Sequence, residues 1–302
     1  MSLRRYEELL TAAEIAYGEG RYEASLAAAA EAEEVARQSG RQDLVDRASC
    51  NRCPALIELD RLGEHIPELR RILLRASEPR TRWMAAYYAA VGFDIDREHE
   101  QARFYAKRAF DLVEEVGDPA VVGASANLLG KLALASSDFV EAEVAYRRSL
   151  DTYVHLDGYN QVMAAQVKSN LGYALLCLER LDEGVAFCEA ARRAMEQLGA
   201  HRLVHDAYQY LCYGHLLRDD VDAARRYGER GLELALEAGD RLVVKNLMFL
   251  LAEVAVRSGD RFRARRYLHE LAQYYPELDI SDEIIDLLMA TDFTRAVNLR
   301  GS

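Results

Sequence analysis

Residues 158–199 read GYNQVMAAQVKSNLGYALLCLERLDEGVAFCEAARRAMEQLG. A glycine opens the stretch and another, Gly199, closes it. Each is followed by polar or small residues and then by a new apolar pattern. Glycine suits the left-handed residue just past a helix end, so both glycines mark the end of one helix and the approach to the next. Midway, Glu179-Arg180-Leu181 makes a short polar break. Gly172 and Gly184 stand either side of it, where two helices can approach closely. The stretch reads as helix, tight turn, helix, loop, which is an antiparallel helix hairpin.

The same unit recurs along the chain, and such a period decides the architecture. The loop glycine returns as Gly40, Gly117, Gly158, Gly199 and Gly239, at intervals of 77, 41, 41 and 40 residues. The first interval is about two periods, and Ser77-Glu78-Pro79 fills the missing place. The midway break falls at Gly20, Gly63, Arg97, Ser137, Glu179, Asp219 and Gly259, in steps of 43, 34, 40, 42, 40 and 40. Apolar spacing agrees: Leu128, Leu129, Leu132 and Leu134, then Ala142, Ala145, Tyr146 and Leu150, share one helical face. Small residues recur at the expected close approaches, as Gly130 with Ala142 and Ala252 with Ala264.

Composition bounds the remaining choices. The chain has 302 residues, 50% of them hydrophobic, 29% charged and only 5 proline, which favours helix throughout. A net charge of −12 repels a phosphate backbone unless basic residues cluster, so nucleic acid is not expected as a direct partner. The arginines at 261, 263, 265 and 266 read as a solvated outer face. Cys50, Cys53, Cys177, Cys188 and Cys212 are odd in number, and three lie within apolar helical patterns, which suits a reducing cytoplasm. No run of 18 apolar residues suggests a membrane span. Met1-Ser2-Leu3 and Gly301-Ser302 have the look of cloning remnants, which would make the chain a fragment of a larger protein.

With these copies, the chain resembles the tetratricopeptide repeat (TPR) family. That family has a Leu-Gly pair in the first helix, a turn glycine seven residues on and spaced alanines in the second. The copies here are Asn127-Leu128-Leu129-Gly130-Lys131 with Asp138-Phe139-Val140-Glu141-Ala142, and Asn170-Leu171-Gly172-Tyr173 with Leu181-Asp182-Glu183-Gly184. The resemblance covers residues 4–275 as about seven units. It departs in its period, near 40, and in a degenerate second unit containing Pro54 and Pro67. The longer unit is similar to the repeats of kinesin light chains and of Rap-type bacterial regulators. The resemblance implies an all-α, right-handed superhelical solenoid of about seven antiparallel hairpins, with residues 281–300 as a C-terminal helical cap or junction.

It also implies a concave groove lined by the first helices. By register, that groove receives Tyr87, Tyr88, Asn127, Lys131, Gln166, Asn170, Tyr173, Asp206, Gln209, Tyr210, Tyr213 and Asn246, with Val91 and Glu253 beside them. Side-chain amides can pair with peptide N–H and C=O groups, and tyrosines add area and a hydroxyl. The expected function is a cytoplasmic protein- or peptide-binding scaffold; the alternative is a ligand-sensing module of a larger signalling protein or transcription regulator. A carboxylate clamp would need several basic residues, and only Lys131 is well placed.

No Gly-rich phosphate loop or catalytic triad is evident, so neither enzymatic activity nor a cofactor is expected. Cys50 and Cys53 have metal-ligand spacing but no second pair, and a structural zinc needs four ligands. His201 and His205 would stand one helical turn apart, again without a third ligand. Near the end, Ser281 could cap a helix with Asp282 and Glu283 in its first turn. The apolar run Ile284, Ile285, Leu287, Leu288 and Met289 reads as a cap on the last repeat, with a homodimer contact as the other possibility.

Overall fold

The computed structural model describes residues 3–201, 203–278, 280–292, 294 and 298–300. All regular structure among them is helical. The chain divides into two compact units, residues 1–132 and 133–302. In the first unit, α1 (Leu3–Gly18) pairs with α2 (Tyr22–Gln38). α3 (Gln42–Asn51) and α4 (Cys53–Glu58) precede α5 (Ile66–Arg75), and α6 (Pro79–Ile95) pairs with α7 (His99–Asp111), which continues into the short α8 (Val113–Val116). The division falls within α9 (Pro119–Ala135). The second unit holds α10 (Phe139–Tyr153), then the pairs α11 (Tyr159–Cys177) with α12 (Leu181–Gln197), α13 (Val204–Leu217) with α14 (Val221–Ala238), and α15 (Arg241–Arg257) with α16 (Arg261–Ala272). α17 (Asp282–Ala290) follows. With the turn between α9 and α10, the seven turns that the period implies all occur among the described residues.

Backbone conformation fixes the period. Within the pairs, left-handed residues occur at Gly20, Asp60, Arg97, Ser137, Glu179, Asp219 and Gly259, in steps of 40, 37, 40, 42, 40 and 40. Six of these are the expected breaks. The second is at Asp60, three residues before the expected Gly63, which instead opens a short 3-10 turn (Gly63–His65). Pro54 and Pro67 explain why this pair looked degenerate. Each lies in the first turn of a short helix, α4 or α5, where its missing N–H has no partner to lose. Between pairs, left-handed glycines stand at Gly40, Gly117, Gly158, Gly199 and Gly239. The place without a glycine is closed by Glu78, whose carboxylate accepts from the N–H groups of Arg80 and Thr81 at the start of α6.

The second unit has one continuous apolar core running from Ala133 to Leu299. At its centre α11 and α12 touch backbone to backbone. A Cβ on Gly172 would lie 2.9 Å from the Gly184 carbonyl oxygen and would collide with the Cys188 sulfur. Glycine is therefore a steric requirement there, as the sequence suggested. α17 buries Ile285 and Met289 and leaves Ile284 and Leu287 exposed. Ser281 occupies its N-cap position without a side-chain cap hydrogen bond. The helix ends at Ala290, and the described residues beyond it, 291, 292, 294 and 298–300, are not helical, although the sequence suggests a helical segment over 281–300. Three of the four arginines of α16 face acids: Arg263 meets Glu229, Arg265 meets Asp282 and Asp286, and Arg266 meets Glu270.

Candidate functional site: the polar face of the first helices

Counting back from each left-handed turn residue, the positions 13, 9 and 6 residues earlier lie on one face of the first helix, because their spacings are four and three. In the second unit these positions are Gln166, Asn170 and Tyr173 on α11, Asp206, Tyr210 and Tyr213 on α13, and Asn246, Leu250 and Glu253 on α15. Eight of the nine are polar or aromatic-polar, yet most are buried. Tyr173 and Tyr210 have no exposed surface, Asn170 has 2% and Asp206 has 8%. A face of buried polar groups requires partners.

The partners come from the chain itself. The segment Asn298–Arg300 lies on this face, with the Leu299 side chain fully buried in the apolar core. The Tyr173 hydroxyl donates to the Asn298 side-chain oxygen (3.0 Å) and accepts from the Leu299 N–H (2.7 Å). The Asn246 amide donates to the Leu299 carbonyl (2.9 Å). The Asn298 amide nitrogen donates to the Leu134 carbonyl and the Ser137 hydroxyl, both at 2.9 Å. Arg300 forms an ion pair with Asp206 (2.7 Å), donates from Nε to the Tyr210 hydroxyl and lies 5.5 Å from the centre of that ring. Upstream, the buried Thr294 hydroxyl donates to Glu253 (3.4 Å), and Arg257 donates to Thr294 and Asp292. Every first-helix side chain in these contacts except Arg257 belongs to the 13, 9 or 6 positions.

The electrostatics follow from burial. Desolvation pushes the Tyr173 and Tyr210 phenols above their usual range, so both act as neutral hydroxyls. Burial, then the charge of Asp292, raises the Glu253 carboxyl. The Tyr173 and Tyr210 rings stack at 4.6 Å and 11°, and the Tyr213 ring meets Tyr173 edge-on at 5.8 Å. Gln209 is one position off the face and accepts from Asn246 through its side-chain oxygen (3.4 Å), orienting that amide. Gln166 is half-buried on α11. Two oxygens on the face, Asn170 Oδ1 and Asp206 Oδ1, are buried with no hydrogen-bond partner among the described residues.

In the first unit the same positions are Glu7, Thr11 and Glu14 on α1, Arg47, Asn51 and Pro54 on α3 and α4, and Met84, Tyr88 and Val91 on α6. Seven of these nine line a cleft of about 710 Å³. Of the residues expected here, Tyr88 is on this wall, whereas Tyr87 packs between Trp83 (5.2 Å) and Tyr88 (5.4 Å). Asn127 is buried with its side-chain oxygen unpartnered among the described residues. Lys131 is exposed, and its charge works against the burial that raises the Asp94 carboxyl. The sequence reading missed Glu7, Thr11, Glu14, Arg47 and Asn51; correct placement of the second turn at Asp60 brings Arg47 and Asn51 into register.

The other motifs resolve into structure. Cys50 and Cys53 are both buried free thiols. His201 is outside α13, which begins at Val204, so it does not share a helix with His205; His205 instead pairs with Asp240 at 3.2 Å. No group of three or more potential metal ligands occurs among the described residues. No described helix is long and apolar enough to cross a membrane.

No protein-family profile and no curated relative matches the sequence. Solved structures do match in fold. The apo form of RapI aligns with a TM-score of 0.67 and 10% identity, covering 97% of this chain and 85% of its own. A Rap protein complexed with competence and sporulation factor gives 0.72 and 15%, covering 96% and 79%. A signal transduction ATPase with numerous domains from Pyrococcus horikoshii, which carries a tetratricopeptide repeat sensor, gives 0.64 and 15%, covering 93% of this chain and 43% of its own. Helix pairing, period and these likenesses agree: the chain has the tetratricopeptide-repeat fold, in the long-repeat form shared with the Rap proteins.

Proposed function

We propose that this chain is a binding protein and not an enzyme, and that the polar face of α11, α13 and α15 receives an extended peptide. The observation that carries the reading is the treatment of Leu299. Its N–H and its C=O are both held by groove side chains, Tyr173 and Asn246, while its own side chain is buried. Those backbone contacts suit any residue in that place; Asp206 and Tyr210 then select a cation beside it. The same fold holds competence and sporulation factor in the Rap complex, which supports a ligand-binding use. A sensing part of a larger regulator is the second reading. It is favoured by the filled face, since a groove that can hold either its own chain or an external ligand has two states for a ligand to bias.

The test is selection from a displayed random-heptapeptide library on the unaltered chain and on Asp206→Ala/Asn246→Ala. Peptides that bind the first and are lost from the folded variant support the reading. Peptides retained equally by both would place binding elsewhere.

A further inference from the structure

We infer that Asn298–Arg300 is a resident ligand of the second unit's groove, held in cis, and that an external peptide presenting Asn, an aliphatic residue and Arg in succession binds by displacing it. This rests on the peptide-binding reading above and names both the ligand class and the regulation of that site.

Three observations converge. The segment is held through its backbone and through two selective side chains. Asn298 is gripped at both ends of its amide, by Tyr173 on one side and by Leu134 and Ser137 on the other, and Arg300 is paired to Asp206 and Tyr210. Between them Leu299 enters the apolar core, so the groove recognises a polar–aliphatic–cationic triplet. Second, the occupant leaves the site incompletely satisfied. Asn170 Oδ1 and Asp206 Oδ1 stay buried without a partner among the described residues, and such acceptors are costly until a donor reaches them. An external ligand that supplies those donors competes favourably. Third, the corresponding face of the first unit is an open cleft, so filling by the chain itself is a property of the second unit's residues and not of the repeat.

Seven residues separate α17 from Asn298. A linker this short sets an effective concentration on the order of millimolar, so the apparent affinity for an external peptide is reduced to the fraction of grooves that the resident segment leaves open.

The test uses the full chain and a labelled hexapeptide of sequence Arg-Ala-Val-Asn-Leu-Arg, the sequence of residues 295–300. Fluorescence anisotropy is measured on the unaltered chain, on Leu299→Ala/Arg300→Ala, and on that variant with Asp206→Asn added. The expected result is at least tenfold tighter binding to the double variant, with the gain lost on adding Asp206→Asn. Arg300→Ala alone serves if the double variant unfolds, since it leaves Leu299 in place. Hydrogen exchange of the segment around Leu299 is followed in parallel. Protection in the unaltered chain, lost on saturating with unlabelled hexapeptide and weakened in Tyr173→Phe, supports displacement. Equal peptide affinity in the unaltered and double-variant chains, both folded, would overturn the inference while leaving peptide binding intact. An unprotected Leu299 would overturn it too. A protected segment with no hexapeptide binding to any variant would sink the inference together with the peptide-binding reading.

Discussion

In the first unit, the positions 13, 9 and 6 residues before each turn carry Glu7, Thr11, Glu14, Arg47, Asn51, Met84 and Tyr88, and they border open space. In the second unit, the same positions carry Asn170, Tyr173, Asp206, Tyr210, Asn246 and Glu253, and most are closed over by the chain's own residues 294 and 298–300. One register therefore produces an open wall and a filled one. The repeat decides which residues face the groove; their chemistry decides what can lie there. In the second unit Tyr173 and Asn246 satisfy an extended backbone, whereas the first unit's wall mixes Thr11, Asn51 and Tyr88 with Met84 and the charged Glu7, Glu14 and Arg47.

The largest expected effect compares the same register position in both units. Tyr210→Ala removes a fully buried stacked ring and should destabilise the second unit by about 3–5 kcal/mol. Tyr88→Ala, on the wall of an open cleft, should cost roughly 1–2 kcal/mol in the first. Urea unfolding with hydrogen exchange reporting each unit measures both, and equal losses would break the distinction.

A second pair of substitutions separates backbone contact from side-chain contact. Gly172→Ala drives a Cβ against the Gly184 carbonyl in the second unit and should cost about 2 kcal/mol. Gly92→Ala in the first unit meets side-chain atoms alone, Cδ1 of Ile66 at 2.8 Å and Cγ1 at 2.9 Å, so that buried side chain must shift while the backbones stay in place. Its helix-propensity gain of about 1 kcal/mol offsets part of that cost, so it should lose less than Gly172→Ala in the same measurement.

Turn residues give a smaller contrast. Arg97 has φ of 60°, and glycine there should stabilise the first unit by about 1 kcal/mol. Asp219 has the same φ in the second unit but pairs with Arg257 at 3.4 Å. Replacing it with glycine should gain less, because roughly 0–1 kcal/mol of ion pairing is lost with it. A thermal shift that ranks Asp219→Gly above Arg97→Gly would remove the pair from consideration.

The smallest effect is one of pH. Hydrogen bonding to His205, opposed by burial, and then the N–H of Val243 hold the Asp240 carboxyl below its ordinary value of 3.8. A lowered folded-state value means the ionised carboxylate stabilises the fold above the unfolded value, and that contribution is lost as pH falls through the folded one. Asp240→Asn should therefore cost about 0.5–1 kcal/mol at pH 7 and progressively less as the pH falls below 3.8. A loss undiminished by acidification would assign the effect to helix capping, since Asp240 also accepts from the N–H groups of Leu242 and Val243.

Much of this was readable in one sequence, because helix ends and close approaches leave local marks. Left-handed turn residues, helix-start prolines and the Gly172–Gly184 contact depend on nearest neighbours along the chain and on 3.6-residue periodicity. They place the seven turns and put Tyr173, Asp206, Tyr210 and Asn246 at corresponding positions of their helices. The departures from the sequence reading are of the same local kind: Asp60 adopts the left-handed conformation that glycine takes more readily, which places the second turn three residues before Gly63, and α13 starts only at Val204, which leaves His201 outside it. Only the tertiary structure could reveal what covers that face. Asn298, Leu299 and Arg300 have no period and no motif, and they meet Leu134, Tyr173 and Asp206 across 94 to 164 residues of chain. Such contacts depend on where the folded chain returns, and that is decided by the packing of the whole second unit.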